Sequence, residues 1–275
     1  MKSNRLCGHV FVHNAIEYDY CIIESVQSLL PICDAVLVMD CSSTDGTDQL
    51  LRDHFENNKR VRLVFGQKWD VCRGGEGKRV RVIAEKCRAL IRGQFGWQFM
   101  LQADEVLHEA SRNAIRQAIA SNQSGSFYCQ RVDLWGSMNT CLAVDPYTFY
   151  GKIAQRMAFE ITRLAHSTRR VVRDGCFIDQ TKASRRYVND IVIFHYGFVR
   201  DRYKLVRKVV DLWEWYHDID LSKDDNFGPS RWLREGKPYD PAQFTGDCLI
   251  PLPCGHPRVA RKWVEERRMQ WETAD

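Results

Sequence analysis

Ala35-Val36-Leu37-Val38-Met39-Asp40-Cys41-Ser42-Ser43-Thr44-Asp45-Gly46-Thr47 is the stretch on which the fold turns. Its first five residues are all apolar, the pattern of a strand buried on both faces. Asp40 closes the run. The residues after it are dense in turn and N-cap types, so a helix is expected to start at Thr47 or Asp48 and to run to Phe55. Strand, tight turn and helix in that order build parallel sheets.

The alternation extends in both directions. Upstream, Gly8 to Val12 is a short apolar run read as a strand, and Cys21 to Leu30 has helical spacing with Pro31 just past its end. Downstream, Val61 to Phe65 predicts a third strand and Lys78 to Ile91 a helix. Trp97 to Leu101 predicts a fourth strand, leading into Gln102-Ala103-Asp104-Glu105. The expected fold class is α/β, a mainly parallel sheet flanked by helices on both faces. Ligands of such sheets bind outside the carboxyl ends of the strands, where Asp40 and Asp104 both fall. The second half is less regular. A helix is expected over Glu109 to Ala120, with strand-like pieces at Ser126 to Leu134, Arg156 to Leu164 and Asp190 to His195. An amphipathic helix follows over Asp201 to Tyr216, then a loop from Asn226 to Pro257 and a terminal helix from Arg258 to Trp271.

Composition narrows the class. With 275 residues, 44% of them hydrophobic and 27% charged, the chain can bury a core without disulfides. The eleven cysteines are scattered and form no CxxC pair, which argues against a zinc site and fits free thiols in a reducing compartment. No window approaches the ~20 apolar residues of a membrane span, and no signal peptide precedes the first strand, so a cytoplasmic location is expected. The net charge of +5 is unevenly spread. Between Arg60 and Arg92, ten Lys and Arg face three acids. Such an excess attracts phosphate, or it is the solvated face of an exposed helix.

Two acidic segments could carry chemistry. Asp40, at a strand end beside a small-residue turn, could accept hydrogen bonds from a ribose or a base, or could simply shape the turn. Asp104-Glu105, also at a strand end, would suit a hard cation that wants oxygen ligands, or could cap a helix. Gly74 to Lys78 lacks the spacing of a phosphate-binding P-loop, and no GxGxxG follows the first strand.

As a set, these segments resemble the family-2-type glycosyltransferases. The matching residues are His13-Asn14-Ala15, Glu24-Ser25, Asp40 through Thr47 and Gln102 through Glu105. The likeness covers about the first 110 residues. Farther on, Phe194-His195-Tyr196-Gly197-Phe198-Val199-Arg200 is similar to a segment of a bacterial and phage subgroup that shares Gln-Ala-Asp-Glu. The resemblance implies a GT-A fold, Rossmann-like and nucleotide-sugar-binding, over residues 1–200. Residues 201–275 would form a helical C-terminal extension packed on the same domain. It also implies an inverting, metal-dependent transfer of a sugar, a hexose by default, from a UDP-sugar to an acceptor hydroxyl.

In that frame His13, Asn14, Asp40, Ser42, Lys78, Arg81, Gln102 and Arg200 are expected around the nucleotide-sugar. Asp104 and His195 are expected to hold Mn²⁺ or Mg²⁺; taken alone, without the motif around it, His195 reads instead as a hydrogen-bonded strand-end histidine. His13-Asn14-Ala15 stands where Arg-Asn-Glu is commoner, and Gln102 replaces the first Asp of the metal motif, which removes one negative charge. Asp133, Asp145, Glu160, Asp174 and Asp179 could serve as the base that takes the acceptor proton. Asp174, preceded by Arg169, Arg170 and Arg173, is the residue chosen. Tyr203, Trp213, Trp215, Tyr216, Trp232, Trp263 and Trp271 either stack on sugars and bases or form core. The acceptor is a cell-surface glycan, or a hydroxymethylated DNA base if the chain is phage-encoded. A nucleotidyltransferase of related fold and a non-catalytic nucleotide-sugar-binding protein are the alternatives.

Overall fold

The computed structural model describes residues 4–69, 78–121, 125–142, 159–170, 186–217, 228–239, 249–252 and 254–272. In chain order the elements of the first half are β1 (Leu6–Val12), α1 (Ile22–Leu29), β2 (Ala35–Asp40), α2 (Thr47–Phe55), β3 (Val61–Val64), α3 (Lys78–Ile91), β4 (Trp97–Gln102), β5 (Glu105–Leu107) and α4 (Arg112–Ser121). The second half contributes β6 (Ser126–Trp135), β7 (Thr140–Leu142), β8 (Phe159–His166), β9 (Arg186–Phe198), α5 (Arg202–His217), α6 (Gly228–Glu235), β10 (Leu249–Pro251) and α7 (Arg261–Glu272).

The expected mainly parallel α/β sheet is present. β3, β2, β1 and β4 run parallel in that spatial order. The apolar runs are buried on both faces because alternate side chains enter different cores. Val36 and Val38 join Val10, Val12, Phe99 and Leu101 under α1, α2 and α4, whereas Leu37 and Met39 join Phe11, Met100, Ile83 and Cys87 under α3. Burial of this kind contributes roughly 1.5–3 kcal/mol per large side chain, which is why short strands with such runs are strongly specified.

Past β4 the sheet changes direction. β8 lies antiparallel to β4, and β6 lies antiparallel to β8. β9 then pairs parallel with β6 along one side and antiparallel with the short β5 along the other. Several expectations are corrected here. Glu105 opens a strand instead of capping a helix, because the β9 edge offers its residues a ladder partner. β9 begins four residues earlier than expected, at Arg186. The stretch read as loop from Asn226 to Pro257 contains α6, which packs Trp232 against Leu205, Val206 and Tyr239, and also the edge strand β10.

α5 and α7 return to the first half of the chain. The Tyr18 hydroxyl donates to Asp211 of α5 at 2.7 Å, and Arg267 of α7 forks onto Asp19 with its Nε at 2.9 Å. The eight described cysteines are free thiols, and only Cys254 is exposed. Among the described residues no helix is long and apolar enough to cross a membrane.

Candidate active site

The turns after β1 and β2 brace each other. Asn14 and Ser42 both hold left-handed backbone, with φ of 52° and 54°, a conformation that costs energy in residues other than glycine and persists where surroundings enforce it. The Asn14 amide N–H donates to Ser43 Oγ, and its side-chain oxygen accepts from the Thr44 N–H. Ala15 N–H donates to Thr47 Oγ1, and Glu17 N–H donates to Asp45. Asp40 is buried and accepts from the N–H and hydroxyl of Ser43. Burial raises its pKa, and those two hydrogen bonds partly offset the effect. Ser42 Oγ donates to the Gln67 carbonyl. Asn14, Asp40 and Ser42 therefore hold the loop pair together.

Beside this pair, at the carboxyl ends of β1 and β4, lies a cavity of about 300 Å³. Of the expected site residues it is lined by His13, Gln102, Asp104 and His195, joined by Tyr20, Trp69, Arg131, Phe198 and Lys208. His13 and Trp69 stack face to face, with centroids 5.3 Å apart and planes 7° from parallel, and His13 Nδ1 donates to the Cys41 carbonyl at 2.8 Å.

Asp104 and His195 are 91 positions apart in the chain, yet β5–β9 pairing sets them side by side. The Tyr196 N–H donates to the Asp104 carbonyl at 2.8 Å, and Glu105 stands opposite His195 in the ladder. His195 Nε2 comes within 3.6 Å of Asp104 Oδ1, an ion-pair distance longer than a hydrogen bond. Its Nδ1 donates to Asp133, which lies opposite it on β6 and also accepts from Arg131 Nε at 3.1 Å. The other oxygen of Asp104 is doubly engaged, by Arg200 Nη2 at 2.9 Å and Lys208 Nζ at 3.0 Å. Glu105, fully buried, is gripped by Arg163 through two bonds of 2.7 and 2.9 Å.

The electrostatics follow from these pairs. Burial opposes the charge on Asp104, but Lys208, His195 and Arg200 outweigh it and hold the carboxyl well below its usual range. Burial likewise opposes Glu105 and Asp133, and Arg163 and Arg131 respectively keep each ionised. His195 is buried, which disfavours its cation, yet Asp104 and then Asp133 raise its pKa. Burial and Arg200 lower Lys208 to about 8, and Asp104 limits the fall. Four cations (Arg131, Arg163, Arg200, Lys208) thus face three carboxylates (Asp104, Glu105, Asp133), an excess of one positive charge before His195 is counted. A cavity of that sign concentrates anions.

These residues do not suit a hard divalent cation. Such an ion is usually held by one or two free carboxylates, with water and substrate phosphates filling its other positions. Here Glu105 is consumed by Arg163, Asp133 is turned to His195 and Arg131, and one oxygen of Asp104 is covered by two cations that would repel another. Among the described residues no group of three His, Cys, Asp or Glu forms a metal site.

The remaining expectations fall outside the cavity wall. Arg200 is fully buried beneath Asp104 and also donates to the carbonyls of Tyr18 and Tyr196. Arg81 lines a separate open groove with Lys86, Arg88 and Arg170. Lys78 opens α3, but its side chain lies outside the described residues, as does all of Asp174. Asp145, Asp179 and the Glu160 side chain are also outside them. Trp232 and Trp263 are core, whereas Tyr203 and Trp213 are exposed. The side chains of Trp215, Tyr216 and Trp271 are not described.

Lys208 was missed by sequence reasoning, although a signal existed. It stands with the buried Leu205 and the half-buried Leu212 on one stripe of α5, where a lysine is out of place unless paired. Trp69 carried no signal beyond being an aromatic residue in a polar loop.

No protein-family model matches the sequence, and no curated protein does. Solved structures similar to the chain include S. aureus TarS residues 1–349, at 14% identity over 84% of this chain and 71% of that one, TM-score 0.42. The same fragment in complex with UDP-GlcNAc is similar at 12% identity over 88% and 73%, TM-score 0.41, and in complex with UDP at 14% over 84% and 70%, TM-score 0.43. This chain covers 44% of the longer S. aureus TarS structure, at 12% identity and TM-score 0.42.

Proposed function

We propose that the chain is a GT-A-type glycosyltransferase that moves a sugar from a UDP-sugar to an acceptor hydroxyl with inversion. The observation that carries this reading is the cavity at the carboxyl ends of β1 and β4. It combines a flat His13–Trp69 stack with a positively biased cluster around Asp104. Its volume falls within the range of small-molecule sites. A stacked aromatic pair offers a face to a nucleobase, and an excess of cations suits a diphosphate.

In the reaction, an acceptor oxygen forms a bond to the anomeric carbon. The bond from that carbon to the phosphate oxygen breaks, and its electron pair stays on the departing diphosphate. The acceptor proton passes to a base, for which Asp174 is the residue proposed. His195 and Asp104 border the cavity where charge collects on the leaving group. A cation there that stabilises the transition state more than the bound donor raises the rate.

The acceptor is read as a glycan hydroxyl. One observation favours a second reading, a hydroxymethylated base in DNA. The open groove lined by Arg81, Lys86 and Arg170, with Arg88 paired to Glu85 in its wall, runs along α3, whose Val80 borders the cavity. DNA binding would fall steeply with salt, whereas binding of a neutral glycan would not.

A thermal-shift panel of nucleotides and nucleotide-sugars tests the donor. A ligand at a hundredfold excess over its Kd adds about 2.7 kcal/mol to stability. UDP or a UDP-sugar should therefore raise the Tm by several degrees, with guanosine and adenosine counterparts well below. A flat response to every uridine nucleotide would refute the reading.

A further inference from the structure

Lys208 lies on α5, about a hundred residues past the last strand of the parallel sheet, yet its ammonium reaches the cavity. Nζ donates to Asp104 Oδ2 at 3.0 Å and to the Gly197 carbonyl at 2.8 Å. It also sits 5.5 Å from the Tyr20 ring centre and 5.4 Å from that of Phe198. An ammonium has three N–H donors. Two are used, so one remains on a side chain that lines the cavity.

We propose that Lys208 is a built-in counter-ion for the donor's diphosphate, and that donor binding consequently needs no divalent metal. The proposal rests on the nucleotide-sugar reading above. Asp104, the carboxylate that the sequence offers to a metal, serves here to hold an ammonium. It shares that task with the Gly197 carbonyl, while Arg200 beneath it balances the buried charge. Gln102, where the metal motif carries an Asp, fits the same arrangement, because a second carboxylate at that position would cancel the positive bias facing the phosphates. A lysine acts on phosphate as a compact point charge and can follow the oxygen that gains charge as the sugar leaves.

The test is calorimetric titration of the full chain with UDP and with uridine, first after exhaustive EDTA treatment and then with added Mn²⁺ or Mg²⁺. UDP should bind in EDTA, and added metal should change its Kd by less than about twofold, far from the tenfold that 1.4 kcal/mol represents. Lys208→Met should weaken UDP by roughly 10- to 100-fold, the weight of a charge-assisted hydrogen bond, and leave uridine unchanged. UDP binding that vanishes in EDTA and returns with Mn²⁺ would overturn the proposal and leave the nucleotide-sugar reading standing. An unchanged UDP Kd in a folded Lys208→Met would overturn the role of Lys208. Absence of UDP binding under both conditions would overturn both readings together. Should Lys208→Met fail to fold, the metal titrations on the unaltered chain decide the metal half, and Lys208→Gln, which keeps a donor for Asp104 but no charge, decides the other: UDP weakened by about tenfold with uridine unchanged supports Lys208, and an unchanged UDP Kd overturns it.

Discussion

His9 shows how a single side chain can set the acid limit of the whole fold. It lies in the middle of β1 with no exposed surface, in a sheet already covered on both faces. Burial, with Arg163 and Arg88 adding to it, lowers its pKa from the usual 6.5 to about 4, and a hydrogen bond with Gln98 opposes the fall. Between those two values the unfolded chain binds a proton that the folded chain refuses. The stability from a neutral His9 is therefore complete above about pH 6.5 and is lost as the pH drops toward 4. Urea unfolding at pH 7 and at pH 4.5 should differ by roughly 2–3 kcal/mol from this residue alone. His9→Gln should flatten that part of the profile. An unchanged slope in the variant would assign the acid sensitivity to other groups.

At the scale of elements, the site is the product of one strand with two partners. β9 pairs His195 with Glu105 on β5, which brings Asp104 to one side of the imidazole, and with Asp133 on β6, which holds its other side. Gly197, two residues along, is required by that grip. A Cβ there would fall 2.4–2.5 Å from Cε1 and Nε2 of the His195 ring. Gly197→Ala should accordingly push the ring out of place with little effect on the surrounding sheet. Donor turnover is expected to fall by about tenfold or more, since sub-ångström to ångström misplacement of a reacting group is costly, while the Tm stays within a few degrees. Wild-type turnover in this variant would show that His195 borders the cavity without contributing to the reaction.

At the scale of the molecule, the two ends of the chain are joined beside the cavity. Asp19, in left-handed backbone after β1, takes both arms of Arg267 from α7 and the N–H of Asp201 at the start of α5. Arg267→Ala leaves that largely buried carboxylate with one backbone donor. The expected loss is about 1–3 kcal/mol in urea unfolding, the penalty for an under-satisfied charged group, with a weaker site because α5 also carries Lys208. A loss under about 0.5 kcal/mol would class the pair with exposed ion pairs of little weight. The order of strands and helices through the first hundred residues, and the cavity's position at the carboxyl ends of those strands, were legible in the sequence. Apolar runs and turn residues act locally, and alternation with helices leaves few alternatives to a parallel sheet. The proximity of Gln102, Asp104 and His195 was expected only through a resemblance of short motifs. Their partners were not legible at all: Arg163 on Glu105, Asp133 behind His195, Lys208 on Asp104, Trp69 on His13. Each such contact joins residues dozens of positions apart, through the packing of β5, β6, β8 and β9, through the return of α5, or through the loop after β3. A charge buried in a fold is decided by whichever opposite charge the packing brings within about 3 Å, and spacing along the chain does not encode that distance.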